Sequence, residues 1–143
     1  MTRVDFYILP DADEARRQTY VCRVVDKAFR LGHRVWIHVP DPERARALDE
    51  RLWTFRQDSF LPHERVTDGP ADADCPVLLA ASDEPDDTRE LLVNEHAEVP
   101  AFFSRFARVA EFINHDPDVR RLGRERYAFY RDRGYELHYH KVD

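Results

Sequence analysis

The sequence predicts an α/β protein, a twisted and mostly parallel sheet flanked by helices. Three observations carry that reading. Short, nearly continuous apolar runs, such as the one from Val4 to Leu9 and the one from Arg34 to Val39, suit strands buried on both faces. Segments of helical spacing alternate with them, and strand, helix, strand, helix is the order of a right-handed parallel crossover. Asp41-Pro42 and Asp116-Pro117 each set a capping carboxylate ahead of a proline at the first helical position. With 143 residues, 43% hydrophobic and 12% aromatic, one domain over 1–143 is expected to bury its core without disulfide or metal.

In order along the chain, Val4, Phe6 and Ile8 alternate with Asp5, Tyr7 and Leu9 in a first strand. From Asp13 the period becomes helical. Tyr20, Val21, Val24, Val25, Ala28 and Phe29 share one face, Arg23, Asp26, Lys27 and Arg30 the other, and Gly32 ends the helix. Arg34 to Val39 forms a second strand, and Asp41-Pro42 opens a second helix running to Trp53. Thr54 to Cys75 has no clear period and reads as a surface loop with an exposed apolar stop at Ser59-Phe60-Leu61-Pro62-His63. Strands follow at Val77 to Ala81 and Leu91 to Asn94, with a solvated acidic turn from Asp83 to Asp87 between them. A short apolar run, Pro100 to Phe106, precedes a strand from Arg108 to Ile113. Asp116-Pro117 opens a helix that runs to Arg133 and is closed by Gly134, after which Tyr135 to His140 alternates like an edge strand. No internal repeat and no interdomain linker is visible.

A formal net charge of -6 disfavours a protein whose whole surface tracks phosphate backbone. All basic residues except Lys27 and Lys141 are Arg, whose planar fork suits carboxylates and phosphates. Cys22 and Cys75 lie far apart, outside any zinc or CxxC spacing, which fits a reducing compartment. The first residues lack the apolar core of a signal peptide, and no stretch approaches the roughly 20 apolar residues that cross a bilayer. A cytoplasmic protein is expected.

Rossmann-like layering invites a nucleotide, whose phosphates need glycine-rich turns at the carboxyl ends of strands. The glycines here are Gly32, Gly69, Gly123 and Gly134, and the turn after the first strand reads Pro10-Asp11-Ala12-Asp13, whose carboxylates repel pyrophosphate. His138 and His140 share a strand face, but no third metal ligand is indicated by spacing. His63 lies beside Pro62 with no nucleophile nearby, and no GxSxG occurs. No catalytic residue, cofactor or metal is therefore expected. An orphan nucleotide-binding or hydrolytic enzyme is the alternative from another class.

The last helix carries the positive hypothesis. Arg120, Arg124, Tyr127 and Arg131 follow i, i+4, i+7, i+11 along one stripe, with Val119, Leu122, Phe129 and Tyr130 opposite and Gly123 permitting close approach to the sheet. Three guanidinium groups in a row without an acidic partner on the same stripe repel one another unless an anion is bound. The stripe suits an acidic peptide, above all a free C-terminal carboxylate on an aromatic residue. A solvated arginine-rich face fits the same pattern, and so does single-stranded nucleic acid with a base stacked on Tyr127, although net charge counts against the last.

The same helix, from Arg124-Glu125-Arg126-Tyr127 through Tyr130-Arg131 to Gly134-Tyr135, resembles a stretch of the chi subunits of the bacterial DNA polymerase III clamp loader. Phe6-Tyr7-Ile8-Leu9, Gly32-His33-Arg34-Val35, Leu48-Asp49-Glu50 with Leu52-Trp53, Ser59 to His63, and Gly69-Pro70 resemble chi segments in the same order, over nearly the full length. The resemblance implies a non-catalytic adaptor. It would bridge the acidic, Phe-ending tail of single-stranded DNA-binding protein to the clamp loader through the psi subunit, touching DNA only through these partners. It further implies tail contacts at Arg124, Tyr127, Arg131 and, on the neighbouring strand end, Ile113, with Arg120 beside them, and psi contacts at Trp53, Phe60 and Pro62. Ala128 stands where a family example has Lys, so that contact falls to Arg120 or Arg121 or is lost. From the residues alone, Phe60 and Pro62 either form an apolar docking patch or pin their loop to the core.

Overall fold

Three aspartates start the three helices. Asp13 Oδ1 accepts from the Arg16 amide at 3.3 Å ahead of α1 (Glu14–Arg30), and Asp41 Oδ1 accepts from that of Arg44 at 2.8 Å ahead of α2 (Pro42–Thr54). Asp116 Oδ1 takes the amides of Asp118 and Val119 at 2.9 and 3.2 Å ahead of α3 (Pro117–Asp132). Each removes orphan donors from a helix start. Gly32 (φ 83°) and Gly134 (φ 78°) follow the ends of α1 and α3 in the left-handed region, where glycine carries no side-chain penalty.

The computed structural model describes residues 1–57, 60–66, 74–81, 85 and 89–143. Within them the strands are β1 (Arg3–Ile8), β2 (Val35–His38), β3 (His63–Arg65), β4 (Val77–Ala80), β5 (Leu91–Asn94), β6 (Arg108–Ile113) and β7 (Glu136–Lys141). They form one sheet in the order β3-β4-β2-β5-β6-β1-β7. Every pairing among the described strands is parallel, so the sheet is wholly and not mostly parallel. Parallel strands need crossover connections rather than tight hairpins, and the runs from β1 to β2, β2 to β3 and β6 to β7 each contain a helix.

α1 and α2 cover one face, where Val21, Val25, Leu48 and Leu52 bury against Ile37, Leu79 and Phe112. α3 and a 3₁₀ turn (Phe103–Arg105) cover the other, where Phe103 and Tyr130 bury against Phe6, Trp36 and Val109. Burying a side chain of this size stabilises by about 1.5–3 kcal/mol before entropy is counted.

Two expectations fail here. The segment after α2 reads as loop but contains β3, whose His-Glu-Arg side chains show no apolar alternation and whose strand character comes from pairing with β4. Among the described residues of its apolar stop only Phe60 is strongly exposed, whereas Leu61 and His63 are buried. Asp26, placed by period on the outer face of α1, is also buried. Arg30 at 2.8 Å and Arg56 at 3.4 Å roof its carboxylate, which supplies the counter-charge that burial requires. Ser59, the Gly69-Pro70 pair, and Asp83, Glu84, Asp86 and Asp87 of the acidic turn lie outside the described residues.

Candidate functional site

β1 and β6 are neighbours, yet the chain leaves β1 for α1 on one face and β6 for α3 on the other. Adjacent strands whose exits diverge leave a crevice at their carboxyl ends, the usual binding position in open α/β sheets. A cleft of about 590 Å³ lies there, lined by Leu9 and Pro10 after β1, Asn114 and His115 after β6, one side of α3, and the end of β7.

Arg120, Arg124, Tyr127 and Ile113 all line this cleft, although Ile113 comes from β6 and the others from α3. What brings them together is Gly123. A Cβ there would fall 2.5 Å from Ile113 Cδ1 and force that side chain to shift, so glycine lets α3 approach the strand end this closely without displacing it. Tyr127 packs edge-on against Phe6 with ring centroids 5.2 Å apart, which fixes its ring as a wall. Arg131 does not line the cleft. It lies further along the helix and makes an exposed ion pair with Asp132 at 3.1 Å, its neighbour in sequence and off the stripe. Among the described residues Arg120 and Arg124 have no ion-pair partner.

Sequence reasoning passed over the group that holds α3 in place. Arg126 is buried and donates to Glu111 Oε1 at 2.8 Å, while Asn94 and the Tyr130 hydroxyl donate to Glu111 Oε2 at 2.9 and 2.7 Å. Arg126 also donates to the Ala97 carbonyl at 3.0 Å. Glu111 is fully buried, so both its oxygens must be satisfied, and they are. Burial, and then the Glu111 charge, push the Tyr130 phenol above its ordinary range, leaving it a permanent donor. A legible signal existed: a Glu within the otherwise apolar Val109 to Ile113 run, and an Arg four residues before an anchoring Tyr.

Geometry also bears on the nucleotide alternative. The amides at the starts of α1 and α3, the donors that a phosphate would use, are occupied by Asp13 and Asp116. His140 Nε2 donates to Asp5 Oδ1 at 2.8 Å, and His138 is hydrogen-bonded to Glu136, so each of these His side chains has a carboxylate partner. Burial alone would raise the Asp5 carboxyl, but hydrogen bonds from His140, Arg108 and Arg3 outweigh it and hold it below the usual range. Among the described residues no group of three or more His, Cys, Asp or Glu is placed to hold a metal ion, and no helix is long and apolar enough to cross a membrane.

The second predicted group lies by the opposite edge of the sheet. Trp53, on the last turn of α2, is 47% exposed and Phe60 72% exposed, with ring centroids 5.9 Å apart, and half-buried Pro62 follows. Trp53 rests on His63, ring centroids 4.2 Å apart. The His63 ring is wedged between the carbonyls of Leu61 (2.7 Å from Nδ1) and Asp49 (3.0 Å from Nε2), so the exposed pair stands on a fixed base.

Comparison with known proteins places the chain. A family model described as DNA polymerase III chi subunit, HolC, matches residues 1–138. A protein of Pseudomonas aeruginosa named DNA polymerase III subunit chi is 41% identical over 99% of this chain and 98% of its own length. The proteins of that name from Escherichia coli K12 and Haemophilus influenzae are 32% and 28% identical, covering 82% and 92% of this chain and 80% and 92% of their own. Among solved structures, T4 UvsW superposes with a TM-score of 0.71 at 9% identity, covering 99% of this chain and 41% of UvsW. The C-terminal domain of Saccharomyces cerevisiae Dbp5, in a complex with Gle1, superposes at 0.63 with 13% identity, covering 98% and 91%. At such identities the two superpositions speak for the fold alone. Matched over nearly its whole length, the chain belongs to the DNA polymerase III chi subunit family, accessory subunits in DNA replication.

Proposed function

We propose that the chain is a one-domain cytoplasmic adaptor with no bond chemistry of its own. It takes the acidic, Phe-ending C-terminal tail of single-stranded DNA-binding protein in the cleft beside α3 and docks a psi subunit through Trp53, Phe60 and Pro62. The observation that carries the reading is the cleft itself, where apolar and aromatic walls meet two arginines that have no ion-pair partner among the described residues. A carboxylate beside an aromatic ring satisfies both halves of that chemistry. The exposed aromatic pair suits a different partner, since clustered aromatics are the usual anchors of protein interfaces.

Calorimetry with an acidic peptide ending in Ile-Pro-Phe, and with the same peptide amidated at its C-terminus, tests the cleft. The free acid is expected to bind and the amide to bind at least roughly tenfold more weakly, the scale of one charge-assisted hydrogen bond. Equal binding of the two, or none by either, defeats the reading. Direct binding of single-stranded DNA would instead appear as a steep salt dependence with oligonucleotide alone.

A further inference from the structure

The register of β1, β6 and β7 divides the cleft into two levels. Phe6 of β1 pairs with Tyr139 of β7, and Tyr127 of α3 packs on Phe6 at 5.2 Å, making an aromatic level. Two residues further toward the carboxyl ends, Ile8 pairs with Ile113 on one side and Lys141 on the other. Gly123 packs on Ile113, so Arg124, the next residue, lies over this second row. The two levels are separated by roughly 6.6 Å of strand rise. That is about the reach from an aromatic ring to the backbone carboxylate of the same residue.

We infer that Lys141 is a tail-binding residue, the edge-strand half of a two-sided carboxylate clamp whose helical half is Arg124. This rests on the proposed peptide-binding role of the cleft and specifies its recognition rule, a free carboxylate on a C-terminal aromatic residue. Lys141 lines the cleft from the wall opposite α3, is exposed, and has no ion-pair partner among the described residues. Asp143 lines the cleft from the same chain end, so the positive charge on that wall comes from Lys141. An Arg fork and a Lys point charge are complementary, the first setting the plane of the carboxylate and the second adding attraction without a fixed geometry.

The test measures binding of the free-acid peptide, its amide, and the same peptide with one glycine appended after Phe, to the full chain and to Lys141→Met and Lys141→Arg. Met keeps the unbranched stem without the charge, and unchanged melting of both variants confirms that they fold. Lys141→Met should weaken the free acid about tenfold and leave the amide unchanged, while Lys141→Arg should retain most of the affinity. The appended glycine, which moves the carboxylate by about 3.5 Å, should remove most of the advantage of the free acid over the amide. If the free acid binds the wild-type chain well and Lys141→Met binds it equally, or weakens acid and amide alike, the clamp is overturned and the cleft stands. If neither peptide binds the wild-type chain, the clamp falls together with the reading on which it rests.

Discussion

The cleft at the ends of β6 and β1 and the aromatic patch beside β3 lie four to five strand spacings, or roughly 19–24 Å, apart across one sheet. They are built differently. The cleft is concave, and its helix is held down by a buried ionic network centred on Glu111. The patch is two exposed rings beside a short edge strand, of which Trp53 rests on His63. Side chains that shape the cleft therefore also carry fold stability, whereas the patch can be altered with little effect on folding. The proposed adaptor role would gain from such separation, because a change at one site reaches the other only through global stability.

The largest expected effect strikes the network. Arg126→Ala leaves Glu111 as a buried carboxylate without its ion pair and should cost about 3–5 kcal/mol, visible as a lowered melting temperature and urea midpoint. The loss should lower occupancy of both sites by unfolding; a stable Arg126→Ala chain that had lost only peptide binding would contradict the structural role. Next in size, Phe60→Ala should weaken psi by about 2 kcal/mol or more, as expected for an aromatic anchor, with stability within about 0.5 kcal/mol and peptide affinity unchanged. Pull-down of psi alongside peptide calorimetry would check it, and loss of both ligands would show that the two regions are not independent. Gly123→Val should cost roughly 1–3 kcal/mol by pressing on Ile113, and it should weaken the peptide beyond what the melting shift explains, because α3 must lift away from the cleft floor.

The smallest effect belongs to neither region. Burial, helped by the neighbouring His96 ring, holds the His38 imidazole down to about 4, so the folded protein keeps it neutral where the unfolded chain would be charged. The associated stability is complete above the ordinary histidine value of 6.5 and is lost progressively as pH falls from there to about 4. Urea melts across that window should show a shallower decline for His38→Gln. Asp5 is depressed below the ordinary aspartate value of 3.8, so its contribution is lost only below that, outside the window.

Much of this was legible locally. Helix starts were readable at Asp13, Asp41 and Asp116 because a cap is chemistry between residues two or three apart. The four positions from Arg120 to Arg131 could be placed on one helix face from the 3.6-residue period alone. Period could not say that Arg131 would find Asp132 or that Asp26 would be roofed by Arg56, since rotamers and long-range neighbours settle counter-ions. Strand β3 was hidden for a related reason: three polar residues become a strand only because β4 offers them a ladder.

By itself the sequence determined the α/β class, the helices, six of the seven strands, the missing phosphate loop and the membership of a replication family. All of these rest on short-range period, capping or aligned similarity. The tertiary structure alone decided that β1 lies between β6 and β7, which sets Lys141 across the cleft from Arg124 and Ile113 beneath Gly123. The physical reason is that a cleft is a relation between chain segments far apart in sequence. It forms where loops after adjacent strands leave toward opposite faces, and no local pattern records which strands become neighbours.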